Sequence, residues 1–424
     1  MSREVSAQVR ARVDSLLHRL VESGAERGLQ VAAYVDGKQL VSTCAGTYDT
    51  GTYDPPRARA PEPDTTAAPA TTAAPATKAT EAAEPTEATT HASTTTATQA
   101  PLTPDTPIHS FSTGKGFLTT LVHVLAEHGL IDYDTPIAHY WPEFAAHGKT
   151  RATVRHALTH SIGIPQLPPT ITPADLCDWN TMCALVADLT PLWEPGTQSG
   201  YHGWTFGWIL GEPVRRITGL TPAQALRTYV TQPLGIADEL YFGLPETELP
   251  RTAPLIEGNW TTWLENLPPT VPFRRLVVPN RTIWTTADLA NRRDFLLADI
   301  PAGGTTTARA AARMYAALLG EVDGVRLISQ PRLEQITAPA TQGKDQMLLG
   351  HFTKGLGYFL ALPEMGGHPT AFGHHGSGGS IAFADRQRTL SFALTRTRLV
   401  AGEADQAAQM AADEIRSHTP KTTP

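Results

Sequence analysis

The fold of this 424-residue chain is decided by residues 109–125, which read HSFSTGKGFLTTLVHVL. Apolar residues recur at helical spacing after Ser112, which predicts a helix that begins near Ser112 and ends at Gly129. Ser112 and Lys115 are three positions apart, so they share one face at the start of this helix. A serine hydroxyl becomes an effective nucleophile when a base lies beside it, and a lysine whose pKa is lowered by burial can be that base. The pair by itself is equally compatible with an ordinary polar helix start.

Strand patterns lie toward both ends of the chain. Residues 29–35 (LQVAAYV), the turn Asp36-Gly37 and residues 39–42 predict a β-hairpin. Residues 381–394 predict a second hairpin, with its turn at 385–388. Amphipathic helices are predicted at residues 9–21 and 307–319, and further helical segments at 154–158 and 404–415.

This order of elements predicts an α+β fold. One antiparallel sheet would be built from both chain ends, residues 25–48 and 350–400, and flanked by helices. A mostly helical subdomain would occupy residues from about 130 to 300. We expect a single catalytic domain over residues 1–424.

Residues 50–106 are almost entirely Ala, Thr, Pro and Glu, and the hexamer TTAAPA occurs there twice in tandem. A segment of this composition cannot bury enough apolar surface to offset its ordering entropy. We therefore predict that it is a disordered insertion within the domain. A ligand or docking segment is the alternative interpretation.

Composition excludes several classes of protein. A net charge of −7 and a pI near 6.1 argue against nucleic-acid binding. The 3 cysteines give neither a disulfide framework nor a zinc-ligand spacing, so no metal or cofactor is expected. The N-terminal stretch lacks the apolar core of a signal peptide, and no segment is apolar enough to span a membrane. These patterns favour a cytoplasmic protein without a membrane partner.

Two further motifs suggest catalysis. Tyr201-His202-Gly203 precedes the apolar run 204–210, and a tyrosine at such a junction can relay a proton. An ordinary core tyrosine is the alternative. Residues 372–380 (FGHHGSGGS) are glycine-rich, so an edge strand there could bring an N–H close to a developing oxyanion. A simple turn remains possible, whereas a metal site from His374 and His375 is disfavoured because adjacent strand side chains point to opposite faces.

The segments SFSTGKG, LTHSIGIP, WEPGTQSGYHGWTFGWILGE and FGHHGSGGSIAFAD follow one another in this order. Together they resemble the serine β-lactamase superfamily, and within it the class C-like esterase and transesterase branch, which is related to penicillin-binding proteins. The resemblance covers nearly all of the chain outside residues 50–106. It implies the β-lactamase/transpeptidase-like fold.

The resemblance also implies a role for each matching residue. Ser112 would attack a carbonyl and form an acyl-enzyme, and Lys115 would hold and deprotonate the Ser112–Tyr201 pair. Tyr201 would act as the general base and then return a proton to the leaving group. The backbone N–H groups of Ser112 and Ser377 would form the oxyanion hole. Substrate contacts are expected from His202, Gly203, Trp204, His374 and Gly376.

Two positions depart from the β-lactamase pattern. The Tyr-x-Asn motif of those enzymes ends here in Gly203, which offers no side chain to a substrate amide. Their Lys-Thr-Gly motif is replaced by His374-His375-Gly376, and histidine is mostly neutral at cytoplasmic pH. Both changes remove polar anchors for a β-lactam. A bulky hydrophobic pocket is one possible use of the tryptophans at 179, 193, 204, 208, 260 and 263, although more of them are expected in the core.

The sequence therefore predicts a serine acyl-enzyme hydrolase that acts on an ester or amide of a small molecule and is not chiefly a β-lactamase. One alternative is an acyltransferase that passes the acyl group to an amine or alcohol, as in the tailoring of secondary metabolites and antibiotic biosynthesis. The other alternative is a ligand-binding protein on the same fold without turnover.

Overall fold

The computed structural model describes residues 3–50, 98–402 and 405–419. The strands are β1 (Gly28–Val35), β2 (Lys38–Thr50), β3 (Thr98–Pro101), β4 (Ile108–His109), β5 (Leu240–Tyr241), β6 (Ile256–Glu257), β7 (Thr305–Thr306), β8 (Thr341–Lys344), β9 (His351–Lys354), β10 (Phe359–Leu360), β11 (Ala371–His375), β12 (Ile381–Asp385), β13 (Leu390–Arg396) and β14 (Arg398–Leu399). Nine of these described strands form one antiparallel sheet in the order β3-β2-β1-β13-β12-β11-β10-β9-β8.

The two ends of the chain meet in the middle of this sheet. Strand β1 pairs with β13 from Leu29↔Arg396 to Val35↔Leu390. Both strands are apolar and almost entirely buried, as expected for central strands that carry packed layers on both faces. The predicted α+β fold, with a sheet drawn from both chain ends, is confirmed.

Helices cover the sheet and fill the middle of the chain. They are α1 (Arg3–Glu22), α2 (Thr113–Glu127), α3 (Ile137–Tyr140), α4 (Val154–Leu158), α5 (Pro173–Cys177), α6 (Trp179–Asp188), α7 (Thr205–Thr218), α8 (Pro222–Leu226), α9 (Trp260–Asn266), α10 (Ala287–Ala290), α11 (Arg293–Leu297), α12 (Ala308–Leu319), α13 (Gln330–Thr337) and α14 (Ala407–Arg416). Helices α1 and α12 pack on the sheet against β2 and β1, respectively. No helix in the described part of the chain is long and apolar enough to cross a membrane.

The helix predicted from Ser112 is the central one. Helix α2 has Ser112 at its N-cap, and every residue from Thr113 to Ala126 is buried. It packs against strand β11 and helix α7. Because the helix is buried nearly all round, the polar side chains near its N-terminus are held deep in the molecule.

The predicted insertion extends too far at its C-terminal end. Strand β3 pairs with β2 from Thr47↔Pro101 to Thr50↔Thr98. The Gln30 side-chain amide then donates to the carbonyls of Thr103 (2.7 Å) and Thr106 (2.8 Å). Residues 98–106 are therefore ordered by hydrogen bonds to the sheet that their composition does not reveal. The remainder of the predicted insertion, residues 51–97, lies outside the described residues.

Candidate active site

The backbone before helix α2 makes a sharp turn that presents Ser112. Phe111 has φ of +45°, an unusual conformation for a residue with a side chain. A Cβ atom on Gly114 would lie 2.2 Å from the backbone of Gly303, so only glycine lets residues 302–304 approach the helix so closely. This approach brings the carbonyl group of Ala302 to the side chain of Lys115.

Lys115 lies beside the hydroxyl group of Ser112. Its Nζ is 2.8 Å from Ser112 Oγ and donates to the Ala302 carbonyl at 2.8 Å. The lysine is 1% exposed, and this burial lowers the pKa of Lys115 well below its ordinary value. A neutral amine at this distance can accept the proton of Ser112.

Tyr201 completes the cluster that the sequence predicted. Its hydroxyl group interacts with Ser112, and Lys115 Nζ lies 5.3 Å from the centre of its ring. Burial raises the pKa of Tyr201 above its ordinary value, and the interaction with Ser112 offsets this in part. At neutral pH the residue is therefore a phenol that can donate a proton, rather than a phenolate.

Gly203 lies next to an apolar wall. A Cβ atom at this position would lie 2.4 Å from Val277 Cγ1. The space that the asparagine of a Tyr-x-Asn motif would need is thus filled by Val277. The glycine at position 203 therefore goes together with Val277, a residue that lies in none of the sequence motifs.

His202, for which the sequence predicted a substrate contact, is not among the residues that line the cavity at Ser112. Its Nε2 accepts the N–H of Ile164 at 3.0 Å, and its Nδ1 lies 2.6 Å from the carbonyl oxygen of Gly200. Burial lowers the pKa of His202 to about 4, which keeps the ring neutral and suits one donor and one acceptor nitrogen. The hydrogen bonds of His202 instead connect the segment around Ile164 to the segment that contains Tyr201.

The glycine-rich segment approaches the cluster from strand β11. The sequence predicted an edge strand here, but β11 is an inner strand, because it pairs with β12 and, at two residues, with β10. Its pairing with β10 ends at Gly373, which leaves the following residues free to face the cavity. A Cβ atom on Gly376 would lie 2.0 Å from the carbonyl oxygen of Ser110, so the segment passes directly over the turn before Ser112.

Two backbone N–H groups near Ser112 are available to a ligand. Within the described part of the chain, the N–H groups of Ser112 and Ser377 donate to no acceptor of the protein. Both residues line the same cavity. Unpaired N–H donors at such a place are what an oxyanion hole requires.

The two neighbouring histidines have different surroundings. His374 is 0% exposed, its Nδ1 lies 2.7 Å from the His375 carbonyl oxygen, and its ring packs 6.0 Å from that of Tyr201. Burial, and to a smaller degree Lys115, lowers the pKa of His374 well below its ordinary value. The sequence predicted a substrate contact for His374, but His375 is the histidine that lines the cavity, because adjacent strand residues face opposite ways.

The cavity in front of Ser112 has a volume of about 430 Å³. Its apolar walls come mainly from Trp204, Trp260, Trp263, Leu267, Val271, Phe273, Val277, Val278, Leu348 and Phe352. Three of the six tryptophans singled out from the sequence are among them, whereas Trp179, Trp193 and Trp208 pack elsewhere. Such walls fit an apolar group of substantial size.

A buried Ser-Lys-Tyr cluster, on a helix packed beneath an antiparallel sheet and open to an apolar cavity, defines a β-lactamase-like serine hydrolase. The chain belongs to the beta-lactamase family, whose model, described as Beta-lactamase, matches residues 13–416. The predicted family and class of enzyme are confirmed.

Known relatives include both esterases and penicillin-binding-protein homologues. The chain is 36% identical over 312 residues to the protein named Esterase/beta-lactamase LipL of Mycobacterium tuberculosis, covering 71% of each chain. A family VIII carboxylesterase structure superposes with a TM-score of 0.75 at 29% identity, covering 96% of this chain and 97% of the other. A penicillin-binding protein homologue from Caulobacter crescentus gives a TM-score of 0.75 at 28% identity, covering 97% of each.

Replacing Gly203 with asparagine should destabilise the protein, because the new side chain overlaps Val277. Overpacking of this kind costs about 1–3 kcal/mol of unfolding free energy. Val277→Ala should recover most of that loss in the double variant, as measured by urea unfolding of all four members of the cycle. Gly320→Asn is the matched control, since nothing lies within 4 Å of a Cβ atom there. Additive effects of Gly203→Asn and Val277→Ala would show that the two positions do not compete for space.

Proposed function

We propose that this protein is a serine esterase that hydrolyses small esters with an apolar acyl group through an acyl-enzyme on Ser112. One observation carries the proposal: Lys115 Nζ lies 2.8 Å from Ser112 Oγ at an apolar cavity of about 430 Å³. The relative named Esterase/beta-lactamase LipL supports the same chemistry.

In acylation, neutral Lys115 accepts the proton of Ser112 as the oxygen attacks the ester carbonyl carbon. The oxyanion of the tetrahedral intermediate accepts hydrogen bonds from the N–H groups of Ser112 and Ser377. The phenol of Tyr201 gives its proton to the departing alkoxide, which leaves as an alcohol. Lys115 then returns a proton to Tyr201, so that both groups regain their starting states.

Deacylation runs the same steps with water in place of Ser112 as the nucleophile. Water attacks the acyl carbon and gives its proton to neutral Lys115, while the phenol of Tyr201 protonates the departing oxygen of Ser112. Lys115 then returns a proton to Tyr201. In this mechanism Lys115 is the first base, because burial favours a neutral amine and disfavours a tyrosinate. The general base in the first step is thus Lys115, whereas the family resemblance implied Tyr201; the return of a proton to the leaving group by Tyr201 is common to both.

The cavity favours an ester over a β-lactam. Val277 occupies the place of a polar side chain at Gly203, and His374, whose pKa is lowered by burial, stands where a permanent cation would hold a substrate carboxylate. Amide and carboxylate groups of a β-lactam would lose their hydration there without gaining hydrogen bonds of equal value. An apolar acyl chain loses nothing by the same transfer.

A series of esters with one alcohol and acyl chains of increasing length tests the proposal. Each buried CH₂ is worth about 0.8 kcal/mol, so kcat/KM should rise about fourfold per CH₂ until the cavity is full. A chromogenic cephalosporin should be hydrolysed far more slowly. A rate that is flat or falls from the shortest chain onward, or faster β-lactam cleavage, would contradict the proposal.

Product analysis identifies the acceptor in the same experiment. Mass spectrometry should show the free acid as the main product even when amines or alcohols are present in excess. Predominant transfer of the acyl group to an amine or alcohol would instead identify the protein as an acyltransferase.

A further inference from the structure

A buried ion pair lies at the far side of Tyr201, on the hairpin of β8 and β9. Asp345 is 1% exposed and Lys354 3% exposed, and Lys354 Nζ lies 2.7 Å from Asp345 Oδ2. Burying two charges is costly unless their remaining hydrogen-bonding capacity is used. Neither residue lines the cavity at Ser112.

The carboxylate of Asp345 uses its second oxygen to hold backbone N–H groups. Asp345 Oδ1 accepts from Tyr201 at 3.1 Å, from Met347 at 2.9 Å and from Leu348 at 2.9 Å. One side chain therefore fixes both the connection that follows β8 and the backbone of the tyrosine. Charge-assisted bonds of this kind are shorter and stronger than neutral ones.

The residue two positions before Tyr201 is held by the same hairpin. Gln346 donates its N–H to the Ser199 carbonyl at 3.0 Å, and Lys354 Nζ donates to Ser199 Oγ at 2.8 Å. Together with the bond from Tyr201 to Asp345, three hydrogen bonds tie the segment 199–201 to this hairpin. The position of the Tyr201 phenol therefore depends on the hairpin of β8 and β9 as well as on the segment that leads into helix α7.

The hairpin also forms part of the cavity wall. The Met347 carbonyl accepts the N–H of Phe273 at 3.2 Å, and Leu348, Phe352 and Phe273 all line the cavity. The position of Tyr201 and the shape of the apolar wall are consequently set by the same few residues.

We propose that Asp345 is a positioning residue for the reaction: it fixes the backbone of Tyr201, and Lys354 holds the Asp345 carboxylate in place. This inference rests on the role proposed above for Tyr201. A displacement of about 1 Å in a reacting group can lower a rate about 100-fold, so the backbone anchor affects kcat. Substrate binding is less affected, because Asp345 does not touch the cavity.

Two neutral double variants that differ only in the acceptor test the proposal. Asp345→Asn with Lys354→Met removes the ion pair and keeps an oxygen for the Tyr201 N–H. Asp345→Leu with Lys354→Met removes the ion pair and the oxygen with little change in volume. Changing both members avoids the lone buried charge that a single substitution would leave.

The Asn/Met variant should keep kcat within about threefold of the wild type, whereas the Leu/Met variant should lose at least about 30-fold in kcat with KM nearly unchanged. Both are assayed at a temperature where circular dichroism shows them folded. A Leu/Met variant that is folded and retains wild-type kcat overturns the proposal. A folded Asn/Met variant that loses more than about tenfold in kcat also overturns it, and this result is decisive even if Leu/Met does not fold.

Ser112→Ala, assayed in parallel, separates this inference from the proposed function. If wild-type turnover does not depend on Ser112, the proposed function fails. If turnover depends on Ser112 and only the Leu/Met result is contrary, the role of Asp345 alone is refuted.

Discussion

Replacing Ser112 with alanine should abolish labelling by a fluorophosphonate probe and lower kcat for ester hydrolysis by about 10⁶-fold. The reason is that no acyl-enzyme can form without Oγ, whereas the cavity and the two free N–H groups remain. The fold should be unaffected, because Ser112 Oγ makes no capping hydrogen bond to helix α2. Labelling is followed by intact mass, and turnover with the best ester of the series.

Ser391→Ala is the matched control for this variant. Ser391 is buried in strand β13 and its hydroxyl donates to the Ala312 carbonyl at 2.7 Å, so its loss should affect stability and leave labelling intact. Equal labelling of Ser112→Ala and the wild type, or labelling of neither, would show that Ser112 is not the nucleophile.

Lys115→Met should reduce the acylation rate by about 10²–10⁴-fold, the usual contribution of a general base. Methionine preserves most of the apolar volume and removes the group that accepts the serine proton. In the wild type the active form carries the neutral amine, so acylation should increase as pH rises through the lowered pKa of Lys115. Stopped-flow acylation against pH should lose this acidic limb in the variant.

The same substitution should stabilise the protein at neutral pH. The pKa of Lys115 is lower in the folded state than in the unfolded state. Between these two pKa values the unfolded state binds more protons than the folded state, so the unfolding free energy falls as the pH decreases through this range. Removing the amine removes this cost. Urea unfolding of Lys115→Met should therefore show a higher unfolding free energy than the wild type at pH 7 and a smaller difference near pH 11.

Lys149→Met is the matched control, because Lys149 is also a buried lysine. Its Nζ donates to the carbonyls of Ala146 (2.8 Å) and Leu189 (2.5 Å), and burial lowers the pKa of Lys149 to about 8. It lies away from the cavity, so its loss should leave acylation unchanged. Near-normal acylation by Lys115→Met would remove this lysine from the mechanism.

Local patterns predicted the central helix and the contact between Ser112 and Lys115. Helical periodicity after Ser112 is strong, and the spacing from Ser112 to Lys115 is fixed within a single helical turn. The order of the motifs then related Tyr201 to this pair, which spacing alone could not do. The two central strands were predictable because both are apolar runs bounded by clear turns.

Features that depend on long-range pairing were not predictable from composition. Strand β3 has residue types like those of the preceding tract, and its place in the sheet comes from its pairing with β2. Which of His374 and His375 faces the cavity depends on the pleat register of β11. Asp345 was missed because nothing in the stretch TQGKDQ distinguishes a buried carboxylate from a surface one.

The pairing of β2 with β3 has a consequence for how this protein tolerates changes in length. Thr50 and Thr98 are direct partners in the ladder, so residues 51–97 depart from and rejoin the sheet at neighbouring positions. Cα atoms of such partners lie about 5 Å apart whatever joins them. In general, loop-closure entropy grows slowly with length, by about 0.6 kcal/mol for each doubling. Evolution can therefore lengthen, shorten or exchange the segment at this junction while the catalytic framework stays the same, and a protein engineer has the same freedom to graft a tag or a second domain there.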